Sequence, residues 1–118
     1  MRPTAPLLAA VVLVMASLSG CGGDSSGGSS SGPETIDITI SGDSVTPNGE
    51  KVEVSVDQKI ELHVTADAPG EIHVHSTPEQ ELAYDQGTTD LTFTIDKPGV
   101  VDVESHALEK TIVQLEVK

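Results

Sequence analysis

Histidine and glutamate residues alternate with apolar residues in a short segment of the chain. Glu71, His73 and His75 alternate with Ile72 and Val74. Successive side chains of a β-strand point to opposite faces, so the three polar side chains would share one face, spaced about 6.6–6.8 Å apart. Imidazoles with carboxylates nearby suit Cu(II), and they also suit Zn(II) or Ni(II). The segment therefore predicts a metal site, although outward histidines flanked by glutamates are often only solvated surface positions.

A second segment near the carboxyl end has the same alternation. Asp102, Glu104 and His106 alternate with Val101 and Val103, so their side chains would again share the face opposite the apolar one. A β-sheet must hold both segments, and the relative position of the two strands decides whether their histidines meet.

Period-two alternation continues through most of the chain beyond residue 33. Isoleucine, valine and leucine alternate with polar residues in about eight short runs, which indicates strands with one face in a core and one in water. Turn signals rich in proline and glycine separate these runs, at residues 47–49, 69–70 and 98–99 among others. We therefore predict an all-β fold, an antiparallel Greek-key β-sandwich of about eight strands.

The order of strands and turns resembles the cupredoxin-like family over most of residues 35–118. The resemblance is carried by residues 71–75 (EIHVH) and residues 98–106 (PGVVDVESH). Plastocyanin-type members hold copper with a histidine on a central strand, a cysteine after a Pro-Gly segment, and a second histidine and a methionine in the loop beyond it. His73 falls on the first histidine position, Ser105 on the cysteine position and Thr111 near the methionine position.

The sulfur ligands of that family are missing from these positions. The chain has two methionines, Met1 and Met15, and one cysteine, Cys21, and all three lie near its amino terminus. A blue-copper site needs a cysteine thiolate with two histidines, usually with a weak axial methionine, so we predict no type 1 blue-copper site. The resemblance implies instead the colourless branch of the family, found in extracytoplasmic bacterial proteins associated with copper or iron handling.

The resemblance also implies that the two histidine-bearing strands are antiparallel neighbours, which would bring His106 near Glu71 and His73. We therefore predict His73, His75 and His106 as metal ligands. Glu71 and Glu104 are predicted as auxiliary carboxylates that orient the imidazoles. The predicted cofactor is copper, as Cu(II) or Cu(I). The fourth histidine, at position 63, lies on another strand and is predicted to be a surface residue.

The amino-terminal residues have the layout of a bacterial lipoprotein signal, with Arg2, an apolar run over residues 7–18, and Ser19 and Gly20 before Cys21. The run is shorter than the about 20 residues of a transmembrane helix and fits a secretory signal; the less favoured alternative is an uncleaved single-span anchor. We expect a signal peptide over 1–20, the lipidated cysteine with a Gly/Ser-rich tether over 21–32, and one domain over 33–118. The lipid would hold the protein at the outer face of the cytoplasmic membrane.

Charge and motifs exclude several classes of function. The 6 basic and 19 acidic side chains give a net charge of −13, which a phosphate backbone would repel, so we expect no nucleic-acid partner. The chain has no nucleophile elbow and no phosphate-binding glycine loop, and we do not expect an enzyme. The leading hypothesis for the function is a membrane-tethered cupredoxin-like lipoprotein. It would bind a transition metal, most plausibly copper, through its histidines, and would sequester the metal or exchange it with a metal-donor or acceptor protein. The alternative is a metal-free, immunoglobulin-like interaction domain at the cell surface.

Overall fold

The computed structural model describes residues 32–118, and every regular element in that range is a β-strand. The predicted signal peptide, the lipidation site at Cys21 and all but the last residue of the tether lie outside the described residues. The strands are β1 (Glu34–Ser41), β2 (Ser44–Thr46), β3 (Glu50–Val54), β4 (Ile60–Ala66), β5 (Gly70–Val74), β6 (Gln80–Tyr84), β7 (Gly87–Phe93), β8 (Gly99–Ser105) and β9 (Lys110–Val117). Residues 32–118 contain no helix long and apolar enough to cross a membrane.

The strands form two sheets, one with the order β2-β1-β4-β7 and one with the order β3-β9-β8-β5-β6. The predicted all-β Greek-key sandwich is confirmed, with nine strands in place of about eight. Five of the seven strand pairings are antiparallel, as expected, but β1 pairs with β4 and β3 pairs with β9 in parallel. Parallel neighbours need a long connection. Residues 42–59, which include β2 and β3, supply it between β1 and β4.

Alternate residues from both sheets form the core. Its buried hydrophobic side chains are isoleucine, valine and leucine, apart from Ala66, Tyr84 and Phe93. Ile72 and Val74 of β5 and Val103 of β8 are wholly buried. Since neighbouring side chains of a strand point to opposite faces, this packing turns the polar residues of β5 and β8 to the outer face of the five-stranded sheet.

Candidate metal centre

The candidate ligands lie on the outer face of three adjacent strands, with β5 in the middle and β6 and β8 on either side. His73 is in register with Glu81 of β6 and with Glu104 of β8. Side chains directly opposite each other on antiparallel strands have Cβ atoms roughly 4.5–5.5 Å apart. The antiparallel pairing on both sides of β5 therefore places the imidazole of His73 between two glutamates.

The structure brings the three predicted histidine ligands to this face. The rings of His73 and His106 stack with centroids 4.5 Å apart and planes inclined by 19°. The ring of His75 lies 6.3 Å from that of His73, at 69° to it. The backbone explains the arrangement, because the His106 N–H donates to the carbonyl of Glu71 at 3.0 Å and extends the pairing of β5 with β8. The function of these histidines as ligands stays a prediction.

Three carboxylates surround the ring of His73. Nε2 lies 3.7 Å from an oxygen of Glu71 and 3.7 Å from an oxygen of Glu81, while Nδ1 lies 3.3 Å from Glu79 Oε1. One ligand atom from each of Glu71, His73 and Glu81 can be chosen so that all lie within 4.8 Å of one another. The sequence had indicated Glu71 but not Glu79 or Glu81. The alternation of Glu81 with Leu82 was a weak signal for a strand, and it did not indicate that this strand pairs with the one that carries His73.

The ring of His73 is largely covered by its neighbours. Its side chain is 17% exposed, and Nε2 is buried without a hydrogen-bond partner anywhere in residues 32–118. Buried polar atoms in folded proteins nearly always have a partner. A cavity of about 270 Å³ opens beside this ring and is lined also by Glu104, His106 and Glu109. Nε2 of His73 is thus a buried ring nitrogen whose hydrogen-bonding capacity a bound ligand could satisfy.

His75 already has a partner in Glu104. Its Nε2 lies 2.9 Å from Glu104 Oε2, and this hydrogen bond raises the pKa of His75 above its ordinary value of 6.5. Glu79 Oε1 lies 3.8 Å from Nδ1 of the same ring. Glu104 therefore holds the orientation of the His75 imidazole, as carboxylates commonly do for histidines at metal sites.

His63 is not part of this cluster. It lies on β4 in the four-stranded sheet, with a side chain 40% exposed, as a surface residue is expected to be. Its Nδ1 lies 2.5 Å from Asp90 Oδ1, and this hydrogen bond raises the pKa of His63.

Ser105, at the position of the blue-copper cysteine, lies in the core and not on the outer face of the sheet. Ser105 is wholly buried and pairs with Ile72 on the core side of the sheet, whereas His73 faces outward. The hydroxyl of Ser105 hydrogen-bonds to the phenol of Tyr84, which is also buried. The residues at this position therefore do not fit a type 1 copper ion, because the serine is not a thiolate and lies on the opposite face from the histidine.

Comparison with known proteins supports the fold. No protein-family model and no curated protein sequence matches the chain. Solved structures do match: a Cu(I) form of an amicyanin variant has 12% sequence identity over 74% of this chain and 83% of its own, with a TM-score of 0.54. Auracyanin A, a "blue" copper protein from the green thermophilic photosynthetic bacterium Chloroflexus aurantiacus, has 15% identity over 74% of this chain and all of its own, with a TM-score of 0.53. At this identity the likeness concerns the fold alone. Residues 32–118 have a cupredoxin-like fold.

Proposed function

We propose that this chain is a lipid-anchored, extracytoplasmic cupredoxin-like protein that binds a transition-metal ion, with copper as the first candidate. It would hold the ion for sequestration or pass it to a metal-acceptor protein. His73 is the central ligand, His75 and His106 lie beside it, and the surrounding glutamates complete the set.

The proposal of metal binding depends most on one atom, Nε2 of His73. It is buried without a hydrogen-bond partner in residues 32–118, while oxygens of Glu71 and Glu81 each lie 3.7 Å away. An unsatisfied buried polar atom in a folded domain requires an explanation. A metal ion held between this nitrogen and the two oxygens would satisfy all three atoms.

The spacing of Nε2 from each of the two oxygens is close to what an ion requires. Tetrahedral zinc sites have ligand distances of about 2.0–2.2 Å, which puts neighbouring ligand atoms about 3.4 Å apart. The observed separations of 3.7 Å between Nε2 and the two carboxylate oxygens therefore need to contract by only a few tenths of an ångström. Exposed glutamate side chains can make that adjustment by rotation.

Copper is the first candidate for two reasons. The structural neighbours amicyanin and auracyanin A are described with copper, and Cu(II) binds sites with nitrogen and oxygen ligands more strongly than the other first-row divalent ions do. The metal would be bound at the outer face of the five-stranded sheet, and not on the core side where Ser105 lies. Zn(II) and Ni(II) are the competing ions.

The membrane anchor is proposed from the sequence. A lipid on Cys21 would hold the domain at the outer face of the cytoplasmic membrane. The Gly/Ser-rich tether of residues 22–32 would keep it within an r.m.s. distance of about 18 Å of that surface. A partner that donates or accepts metal at the same membrane would then be within reach.

Calorimetric titration of the full-length chain with Cu(II) tests the binding. The comparison is a variant with His73, His75 and His106 all changed to alanine, and His63→Ala is the matched control on the other sheet. Because the three side chains point outward, the triple variant should keep its fold, which circular dichroism checks. We expect tight binding by the wild type and the control, and at least a hundredfold weaker binding by the triple variant.

Equal affinity in the wild type and the triple variant would contradict the proposal. Normal folding in chelator, with no histidine dependence of any activity, would then favour the metal-free interaction domain. The anchor is tested separately, by metabolic labelling with a radioactive fatty acid in bacteria that express the chain. Label should enter the wild type and be absent from Cys21→Ser.

A further inference from the structure

We infer that the site selects divalent ions and discriminates against Cu(I), because its carboxylates, more than its imidazoles, decide which ion binds. This inference rests on the proposed function and narrows it to one class of ion. It concerns Glu71 and Glu81, of which the second lies on the edge strand β6.

The donor atoms available are all nitrogen and oxygen. The only sulfur-containing residues of the chain are Met1, Met15 and Cys21, all of which precede residue 32. Thiolate and thioether ligands select Cu(I), whereas imidazole and carboxylate suit divalent ions. The domain thus lacks the ligand type that gives copper proteins their affinity for the reduced ion.

The charge around His73 strengthens this preference. Carboxylates of Glu71, Glu79 and Glu81 all lie within 3.7 Å of its ring nitrogens. The lysine ion pairs found within residues 32–118 use other carboxylates, those of Glu53, Glu61 and Asp96. A fixed negative charge attracts a divalent ion about twice as strongly as a monovalent one at the same distance.

The imidazoles are poorly arranged for Cu(I) on their own. Two imidazoles bind Cu(I) in a near-linear arrangement, with the ion in the plane of both rings. The rings of His73 and His106 are stacked at 19°, so no point between them lies in both planes. Between His73 and His75, Glu79 Oε1 contacts the Nδ1 atoms of both rings, at 3.3 and 3.8 Å. Both of these histidine pairs therefore need rearrangement before they can hold Cu(I), whereas carboxylate oxygens of Glu71 and Glu81 already lie 3.7 Å from Nε2.

The test is a pair of glutamine substitutions, Glu71→Gln with Glu81→Gln, which keep size and remove charge. Glu53→Gln is the matched control, since the side chains of Glu53 and Glu81 are each 63% exposed and lie on opposite edge strands of one sheet. All chains are full length and carry Cys21→Ser, so that the thiol does not contribute. Affinities are measured calorimetrically for Cu(II) and Zn(II), and by anaerobic competition with a coloured Cu(I) chelator for Cu(I).

We expect the double glutamine variant to lose at least tenfold more affinity for Cu(II) and Zn(II) than it loses for Cu(I), with the control unchanged for all three ions. A smaller difference between the divalent ions and Cu(I) would overturn the inference while leaving metal binding intact. Absence of any binding by the parent chain would instead overturn the proposed function, and the inference with it.

Discussion

His73 and His106 stack face to face across two neighbouring strands, with ring centroids 4.5 Å apart and an interplanar angle of 19°. The nitrogen lone pairs of an imidazole lie in its ring plane, so these two stacked rings direct theirs along nearly parallel planes, which do not meet between the rings. One ion cannot lie in both planes, and joint ligation by His73 and His106 requires one ring to turn. The more exposed His106 is the ring with room to do so.

The substitution His106→Phe separates stacking from ligation, because phenylalanine keeps the stack and removes both nitrogens. We expect Cu(II) affinity to fall by about 10–100-fold, the range typical of residues that support a metal site. Calorimetry measures the loss, and the melting temperature of the metal-free chain should hardly change. Affinity equal to that of the wild type would mean that His106 contributes only its ring face.

Metal should stabilise the fold, since the ligands come from three strands and are separated when the chain unfolds. At a free Zn(II) concentration of 100 times Kd, the gain is about 2.7 kcal/mol. In a domain of this size that raises Tm by roughly 10 °C or more. Scanning calorimetry with zinc and with chelator measures the shift. The variant that lacks His73, His75 and His106 is the control and should melt at one temperature under both conditions.

The ion pair of His63 with Asp90 should make stability depend on pH. The hydrogen bond that the His63 ring donates to the Asp90 carboxylate raises the pKa of His63 in the folded chain, so its stabilising effect is present when His63 is protonated. That effect is full below the unfolded pKa of about 6.5 and is lost as the pH rises through the higher folded value. Asp90→Asn should therefore reduce the free energy of unfolding more at pH 5.5 than at pH 8.5.

Urea denaturation at the two pH values measures this difference, and nuclear magnetic resonance titration of His63 should show its pKa lowered in the variant. A His63→Gln chain should lose the same pH-dependent increment. An equal effect of Asp90→Asn at both pH values would contradict the assignment.

Introducing a cysteine at position 105 should not create a blue-copper site. In Ser105→Cys the thiol would point into the core, on the face opposite His73, so we expect no intense thiolate-to-Cu(II) absorption band. The variant should also lose about 1 kcal/mol of stability, because the buried phenol of Tyr84 loses its hydrogen-bond partner.

Visible absorption after addition of Cu(II), in chains that also carry Cys21→Ser, checks this expectation. Glu104→Cys is the positive control, since residue 104 lies opposite His73 on the outer face, and its thiolate should give a coloured complex. Colour in Ser105→Cys with none in Glu104→Cys would reverse our assignment of the two faces.

Gly70 leaves room for the buried ring of Tyr84. A Cβ at this position would lie 2.4 Å from the hydroxyl oxygen of Tyr84 and 2.7 Å from Cζ. Since the ring is buried and cannot move freely, Gly70→Ala should lower the free energy of unfolding by about 1–3 kcal/mol. Gly32→Ala is the control, because no atom lies within 4 Å of its added Cβ, and it should change stability by less than about 0.5 kcal/mol. Urea denaturation compares the two; equal effects would contradict this close contact.

The alternation of apolar and polar residues along each strand was enough to predict the fold class and the outward orientation of the candidate ligands. Burial of Ile72, Val74 and Val103 leaves no other face for His73, His75 and Glu104, because the side-chain period of a strand is two. The absence of sulfur ligands beyond residue 31 also follows from the sequence. Residues 32–118 therefore lack the thiolate that a type 1 site needs.

Only the tertiary structure decided which carboxylates meet His73. The parallel pairs β1–β4 and β3–β9 and the docking of β6 beside β5 depend on which strands pack together over the whole sandwich, and alternation within a strand says nothing about its neighbours. Glu81 therefore reaches Nε2 of His73 through a pairing that the sequence does not encode locally. The burial of that nitrogen, on which the proposed metal site depends, is likewise a property of three strands assembled together.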